Sequence, residues 1–377
     1  MTLEPNSSTH PLLPPTTEDQ RFDWLRLLRS RRVGISTFYR LMGDCGSAGA
    51  ALDRLPDIAR AAGVEDYRTC PEAVIHAELK AARQAGARLL CRGDPAYPKT
   101  LCDLDDAPPV LWAVGDADIL SQPLIAMVGA RNASSLGGRM ARALAGGLSE
   151  AGFRVVSGMA RGIDTAAHLA ALDHGTIAVL GGGVDVLYPA ENAKLAEDIT
   201  AKGGMRLSEQ PMGLQPMARH FPARNRIISG LARAVVVVEA AVKSGSLITA
   251  RTALDQGREV MAVPGHPFDA RASGCNLLLR DGARLVRSAD DVIEALEPLS
   301  VPEPQLPLEP AVPERSLADV AQLHQQILDR LGPSPLGEDQ LIRDLGASSR
   351  AVSPILTDLE LDGRINRQAG GLISLIS

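Results

Sequence analysis

Five short runs, apolar apart from Arg154 and Thr176 at the start of two of them, set the terms for this chain. They occupy residues 124–128, 154–156, 176–180, 234–238 and 260–263. None alternates polar with apolar, so each is expected to be a strand buried on both faces, as strands of a parallel sheet are. Segments of helical period lie between them, at 138–151, 164–173, 193–202 and 246–256. Strand and helix alternating in this way predict an α/β core, a Rossmann-like, doubly wound parallel sheet. Such sheets bind ligands outside the carboxyl ends of their strands, so the turns after the runs are where chemistry is expected.

The chain has 377 residues, enough for two or three domains. Residues 1–20 are rich in Pro, Ser and Thr, with no basic start and no long apolar centre. They are read as a disordered tail and not as a signal peptide. Residues 21–89 suggest short helices with glycine turns: Trp24, Leu25, Leu27 and Leu28 share a helix face, and a turn and a helix follow over 32–42. This is similar to a helix-hairpin-helix or SAM-like module, which either touches a DNA backbone through its hairpin or serves as a packing domain. The α/β core then spans 90–296, and a Pro/Glu-rich linker spans 297–314. Three helical patterns at 317–331, 337–345 and 348–361, with a hairpin about Gly370-Gly371, predict a winged helix over 315–377.

Composition excludes several classes. No apolar run approaches the roughly 20 residues that span a bilayer, so no membrane role is expected. The five cysteines form no C-x-x-C pair, which argues against a disulfide framework or a zinc site and for a reducing, cytoplasmic setting. A net charge of −6 rules out nucleic-acid binding through bulk charge and requires a local basic patch. Aromatic residues make up only 3% of the chain, so few bases of a single strand are expected to be stacked.

The patch is found between Ala218 and Arg258. Arg219, Arg224, Arg226, Arg233, Lys243, Arg251 and Arg258 stand there against only Glu239 and Asp255. Counterion release by such a patch favours a polyphosphate. Phe221 is its only Phe, Tyr or Trp, read either as a base-stacking residue or as core at a loop base. Glu239 closes an apolar run and is read as orienting Arg224 or Arg226. Arg131 follows the first run and is poised either for a ligand or for a neighbouring carboxylate. Backbone at Gly129, Gly158, Gly181, Gly182 and Gly245 is expected to lie bare for phosphate contact. Asp164 is read as a helix N-cap. His168 is read as a structural histidine in preference to a general base. No P-loop and no spaced dinucleotide fingerprint occurs, so neither ATP nor NAD is supported and no cofactor or metal is expected.

Taken in order, Tyr97-Pro98, Val128-Gly129-Ala130-Arg131, the run Ser157 to Asp164 with His168, Tyr188-Pro189 with Asn192, and Ser208-Glu209 form one pattern. Phe221-Pro222-Ala223-Arg224-Asn225-Arg226-Ile227-Ile228, Ser244-Gly245-Ser246 with Thr249-Ala250, Pro264-Gly265, and Gly274 with Asn276 complete it. The pattern resembles the DNA-processing protein A family, also called DprA or Smf, over most of the chain. The resemblance implies a non-enzymatic protein that binds single-stranded DNA, protects incoming strands and passes them to the RecA recombinase in natural transformation. It also implies a homodimer formed through the core, for which Leu279 and Leu285 are candidates. Arg131 and the segment from Phe221 through Arg224 and Asn225 to Arg226 are implied to line the strand-binding pocket. Arg161, Arg219, Ser244 and Ser246 are included with them, and Lys243 is added from its position.

The winged helix is not basic: six arginines face eight acids over 315–377, and its third helix carries Asp358 and Glu360. Phosphate repulsion there points to a protein contact or a weak, conditional DNA role. The alternative reading is an enzyme like the nucleotide phosphoribohydrolases on a related core, with Glu239 and Arg226 catalytic. Against it, Lys243-Ser244-Gly245-Ser246 stands where those enzymes carry a Pro-Gly-Gly-x-Gly-Thr run.

Overall fold

A computed structural model of the chain describes residues 14–296 and 317–376. The chain divides into two compact units, Met1–Leu299 and Ser300–Ser377. In the first, nine strands form one sheet: β1 (Arg88–Cys91), β2 (Val110–Gly115), β3 (Leu124–Val128), β4 (Arg154–Ser157), β5 (Thr176–Val179), β6 (Met205–Ser208), β7 (Ala234–Val237), β8 (Glu259–Ala262) and β9 (Arg284–Leu285). Their order is β1-β2-β6-β5-β4-β3-β7-β8-β9. From β6 to β9 every pairing is parallel, while β1 with β2 and β2 with β6 are antiparallel.

The five apolar runs are the central strands, and their continuity has the expected cause. Along β3, Leu124, Ala126 and Val128 enter one core while Ile125 and Met127 enter another on the opposite face. Helices Ser135–Glu150 and Ile163–Ala171 cover the second face with Leu144, Leu148 and Ala167. Helices His220–Leu231 and Gly245–Asp255 cover the first with Ile227, Leu231 and Ala250. Sequence reading did not single out β1, β2, β6 or β9. β1, β6 and β9 are short, and Arg206 and exposed Arg284 and Leu285 interrupt any apolar signal; β2 carries six residues with no polar side chain and was overlooked.

The N-terminal helices Glu18–Arg29, Ile35–Cys45, Ala48–Ala61 and Glu72–Gln84 pack Trp24, Leu27 and Phe38 against Cys91, Val110 and Trp112 of β1 and β2. The tail expected through Gln20 is therefore shorter. Thr17 caps the first helix: its hydroxyl accepts from Gln20 N at 3.2 Å, and Gln20 Oε1 accepts from Thr17 N at 3.3 Å. This capping box was legible in the sequence as Thr17-Glu18-Asp19-Gln20. Residues 1–13 of that tail and the linker at 297–314 lie outside the described residues.

The second unit carries helices Leu317–Arg330, Glu338–Leu345 and Ser349–Leu361. Its sheet joins β10 (Leu336–Gly337), β12 (Leu372–Leu375) and β11 (Ile365–Gln368) in that order. Ile327, Leu341, Leu356 and Ile373 form its core. This is the expected winged helix. Among the described residues, no helix is long and apolar enough to cross a membrane.

Candidate nucleic-acid interface

The chain runs outward from β3 through β4 and β5 to β6, then returns to place β7 on the other side of β3. This reversal is the topological switch point at which such sheets bind ligands. A cleft of about 660 Å³ opens there, over the carboxyl ends of β3 and β7. Residues 128–132 line one wall, 243–246 and Thr249 the other, and Phe221, Arg224 and Asn225 enter from helix His220–Leu231. A smaller cavity adjoins it, lined by Gly158, Arg161, Gly181, Gly182 and Tyr188, and sharing Arg131, Phe221 and Arg224.

Arg131 is exposed, and among the described residues no carboxylate pairs with it. Its guanidinium lies 5.2 Å from the centre of the Phe221 ring, a cation–π contact. Phe221 belongs to none of the apolar cores. Its half-buried ring stands between the two cavities over Gly181, where a Cβ would meet it at 3.1 Å. Lys243 is exposed on the opposite wall. The hydroxyls of Ser244 and Ser246 lie 2.5 Å apart, and Ser244 accepts from Ser246 N to cap helix Gly245–Asp255. Arg161 is exposed beside Glu191 at 3.5 Å, and exposed Arg219 lines neither cavity.

Several expectations need correction. The segment after Ala218 is a helix and not an open edge, with Pro222 in its first turn where a missing N–H costs nothing. Arg224 and Arg226 are two residues apart on this helix, so they point to opposite sides. Arg224 is 4% exposed, and its Nη1 donates to Gly158 O and Val179 O, both at 2.6 Å. It braces the ends of β4 and β5 at the cleft floor. Arg226 is buried, lines neither cavity, and is held by Glu209 and, at 3.5 Å, by Asp106. Glu239 orients neither arginine. Its carboxylate accepts from Ser134 N at 2.8 Å and Ser134 Oγ at 2.5 Å, and Ser134 in turn caps helix Ser135–Glu150.

The glycines also serve differently from expectation. A Cβ on Gly158 would lie 2.2 Å from Arg224 Nη1, and one on Gly182 would lie 2.6 Å from Leu214 O. Gly129 is crowded by Ile163 and Glu239 O. Their bareness admits the protein's own groups. Gly245 alone of the five has open space above it, at the cleft wall.

Asp164 is not the N-cap, a place taken by Gly162. Its buried carboxylate accepts from Gly158 N and Ala160 N, closing the loop in which Met159 takes a φ of 63°. Burial holds Asp164 above the usual carboxylate range, with the Arg224 charge opposing. Burial brings Arg224 down to about 10, with Asp164 opposing and Arg131 adding to the fall. His168 is fully buried, lies with Nδ1 2.9 Å from Thr176 Oγ1, and is pushed down to about 3 by burial and by the Arg224 charge. It is neutral and structural.

Sequence reasoning missed Asn132 and Arg271, which also line the cleft. Arg271 follows β8, another strand ending on the same edge, and Pro264-Gly265 marked that turn. Leu279 is half-buried against the core, whereas Leu285 is 49% exposed on the edge strand β9. The mouth of the cleft thus offers Arg131, Lys243 and Arg271, and the one acid in its lining, Asp164, is engaged from below.

Comparison with known proteins settles the family. Residues 88–297 match the model for DNA recombination-mediator protein A, residues 18–81 a DprA-like N-terminal HHH domain, and residues 311–371 a DprA winged helix domain. The chain belongs to the DNA recombination-mediator protein A family. Protein Smf of Escherichia coli K12 is 37% identical over 318 residues, covering 82% of this chain and 83% of that protein. DNA processing protein DprA of Streptococcus pneumoniae is 47% identical over 206 residues, 54% of this chain and 72% of that one. The crystal structure of the S. pneumoniae protein aligns with a TM-score of 0.57 at 36% identity, covering 74% of this chain and 93% of that one. DNA processing protein A of Helicobacter pylori, described for its single-stranded DNA binding mode, aligns with a TM-score of 0.51 at 31% identity, covering 56% and 95%.

Proposed function

We propose that this DprA-family chain binds single-stranded DNA in the cleft between β3 and β7, shields incoming strands, and loads RecA on them in natural transformation. It acts in the cytoplasm, as a homodimer and without catalysis. The observation that carries this reading is the cleft mouth: Arg131 and Lys243 stand over a switch point with no carboxylate partner among the described residues, beside Arg271, which Asp269 holds at 3.2 Å. The H. pylori relative described as binding single strands supports the same ligand. Arg131 stacked on Phe221 presents a cation and a ring edge together, which suits a phosphate beside an unpaired base.

The test is affinity for oligothymidylate over a salt series. Each phosphate neutralised contributes a slope of about −0.7 in log K against log salt. The two unpaired cations at the mouth predict about −1.4, reduced by one such step in Arg131→Ala. A flat plot for the wild type sinks the proposal.

The dimer is assigned to the β9 edge through Leu285 with Leu279 behind it. Sedimentation of Leu285→Asp as a dimer would remove that assignment. The winged helix exposes Asp358 and Glu360 on its third helix and is assigned to protein contact. Under the phosphoribohydrolase alternative Glu239 needs a free carboxylate, yet both oxygens are bonded to Ser134. Release of free base from a nucleoside monophosphate would restore that alternative.

A further inference from the structure

The turn between β8 and helix Ser273–Arg280 holds Phe268 at 95% exposure. A single exposed apolar residue is ordinary. The distribution of rings here is not. The chain has five Phe, four Tyr and two Trp. Only Tyr188, at 50%, and Phe268 are exposed; Phe268 lines neither cavity but shares its turn with Arg271, which lines one. Tyr188 lines the smaller cavity, with its ring 6.0 Å from that of Phe221. Phe268 is three residues before Arg271, which lines the larger one.

The turn that carries Phe268 is also braced. Asn276 clamps its base from both sides, donating to Gly265 O at 3.0 Å and accepting from Gly265 N at 3.2 Å. Within it Asp269 N donates to His266 O, and Ala272 N to Asp269 O, each at 2.9 Å. Phe268 N donates to His266 Nδ1 at 3.3 Å, and the His266 ring lies tilted 5.5 Å from the Phe268 ring. Asp269 fixes Arg271 through its backbone N–H at 2.9 Å and its Nε at 3.2 Å. Pro264-Gly265, Gly274 and Asn276, conspicuous in the sequence, thus frame a platform. A ring held open on an ordered turn loses little entropy on binding a flat partner.

We propose that Phe268, backed by His266, is a stacking subsite for one unpaired nucleobase of the strand as it leaves the cleft past Arg271. The inference rests on the single-strand reading of the cleft. An unpaired base offers the face this ring needs, whereas the bases of a duplex have theirs covered by neighbours.

Two variants test it in the full chain. Phe268→Trp places an indole in solvent while the native Trp24 and Trp112 are 3% and 1% exposed. Its emission is expected to be quenched on titration with a ~20-nucleotide oligothymidylate, a length above the usual single-strand site sizes. Phe268→Ala is expected to lower affinity for that oligonucleotide roughly fivefold or more. The slope of log K against log salt should stay at the wild-type value, because a ring releases no counterions. Wild-type affinity in Phe268→Ala, or an unquenched indole at saturation, overturns the subsite and leaves the cleft standing. So does dissociation of Phe268→Ala into monomers by light scattering, which would make the ring a contact between copies. If the wild type itself shows no salt-dependent binding, the cleft reading fails and the subsite fails with it.

Discussion

Replacing Arg224 by methionine separates scaffold from binding surface more sharply than any other change. The guanidinium donates through one nitrogen to the carbonyls of Gly158 and Val179, both at 2.6 Å, and its charge opposes that of buried Asp164. Hydrogen bonds to a charged group contribute about 1.5–3 kcal/mol each. Losing the guanidinium also leaves two interior carbonyls without their donor, at about 1–3 kcal/mol each. The contributions overlap, since one side chain supplies them all, so the expected loss is about 4 kcal/mol. Single domains have about 5–15 kcal/mol in total, so this is a large fraction. Urea unfolding followed by circular dichroism should show the midpoint falling by roughly 1.3–4 M, with slopes of about 1–3 kcal/mol/M. Arg131→Met, at an exposed position, should stay within about 0.5 kcal/mol of wild type while losing one unit of phosphate contact in the salt series. A wild-type urea midpoint for Arg224→Met, with a reduced salt slope, would refute the bracing role and return Arg224 to the phosphate surface.

Four further outcomes follow from the same geometry. His168 is neutral in the fold, with its pKa lowered to about 3 against about 6.5 when unfolded, so its contribution is full above pH ~6.5 and is lost as pH falls toward 3. Wild type should therefore lose up to about 1.4 kcal/mol per pH unit more than His168→Gln between pH 6 and 4, and parallel urea midpoints would contradict this. Arg226→Met strands Glu209, whose side chain is only 12% exposed, and should cost about 3–5 kcal/mol in unfolding free energy, with the salt slope for single strands unchanged. Glu239→Ala leaves Ser134 N and the cap of the next helix unsupported, for an expected loss of about 1–3 kcal/mol by thermal melting. Removal of residues 315–377 should leave single-strand affinity intact in gel shifts, because the cations of the cleft all belong to the first unit.

What the sequence made legible follows from burial. Val235 and Met127 sit in strands covered on both sides, so their runs carry no polar interruption and are unmistakable. β6 carries Arg206, and β9 exposes both of its residues, so neither leaves such a run. The helix His220–Leu231 was hidden for a different reason: two of its inward positions are arginines, which periodicity counts as solvent-facing. The same ambiguity affects the basic patch. Counting places seven cations between Ala218 and Arg258, yet Arg224, Arg226 and Arg258 are bonded to carbonyls or carboxylates. Formal charge in a sequence does not distinguish a cation facing solvent from one bound within the fold. Arg271 escaped notice because it lies outside the dense cluster and reaches the cleft only through the sheet's topology.

The bond between Glu239 and Ser134 has a consequence for recognition. Glu239 follows β7 and Ser134 follows β3, so the carboxylate fastens the two jaws of the cleft to each other. The bond resists widening of the gap between them. Widening the gap would break that bond and the helix cap behind it, at about 1–3 kcal/mol, so under the proposed reading it is the strand that adjusts on binding.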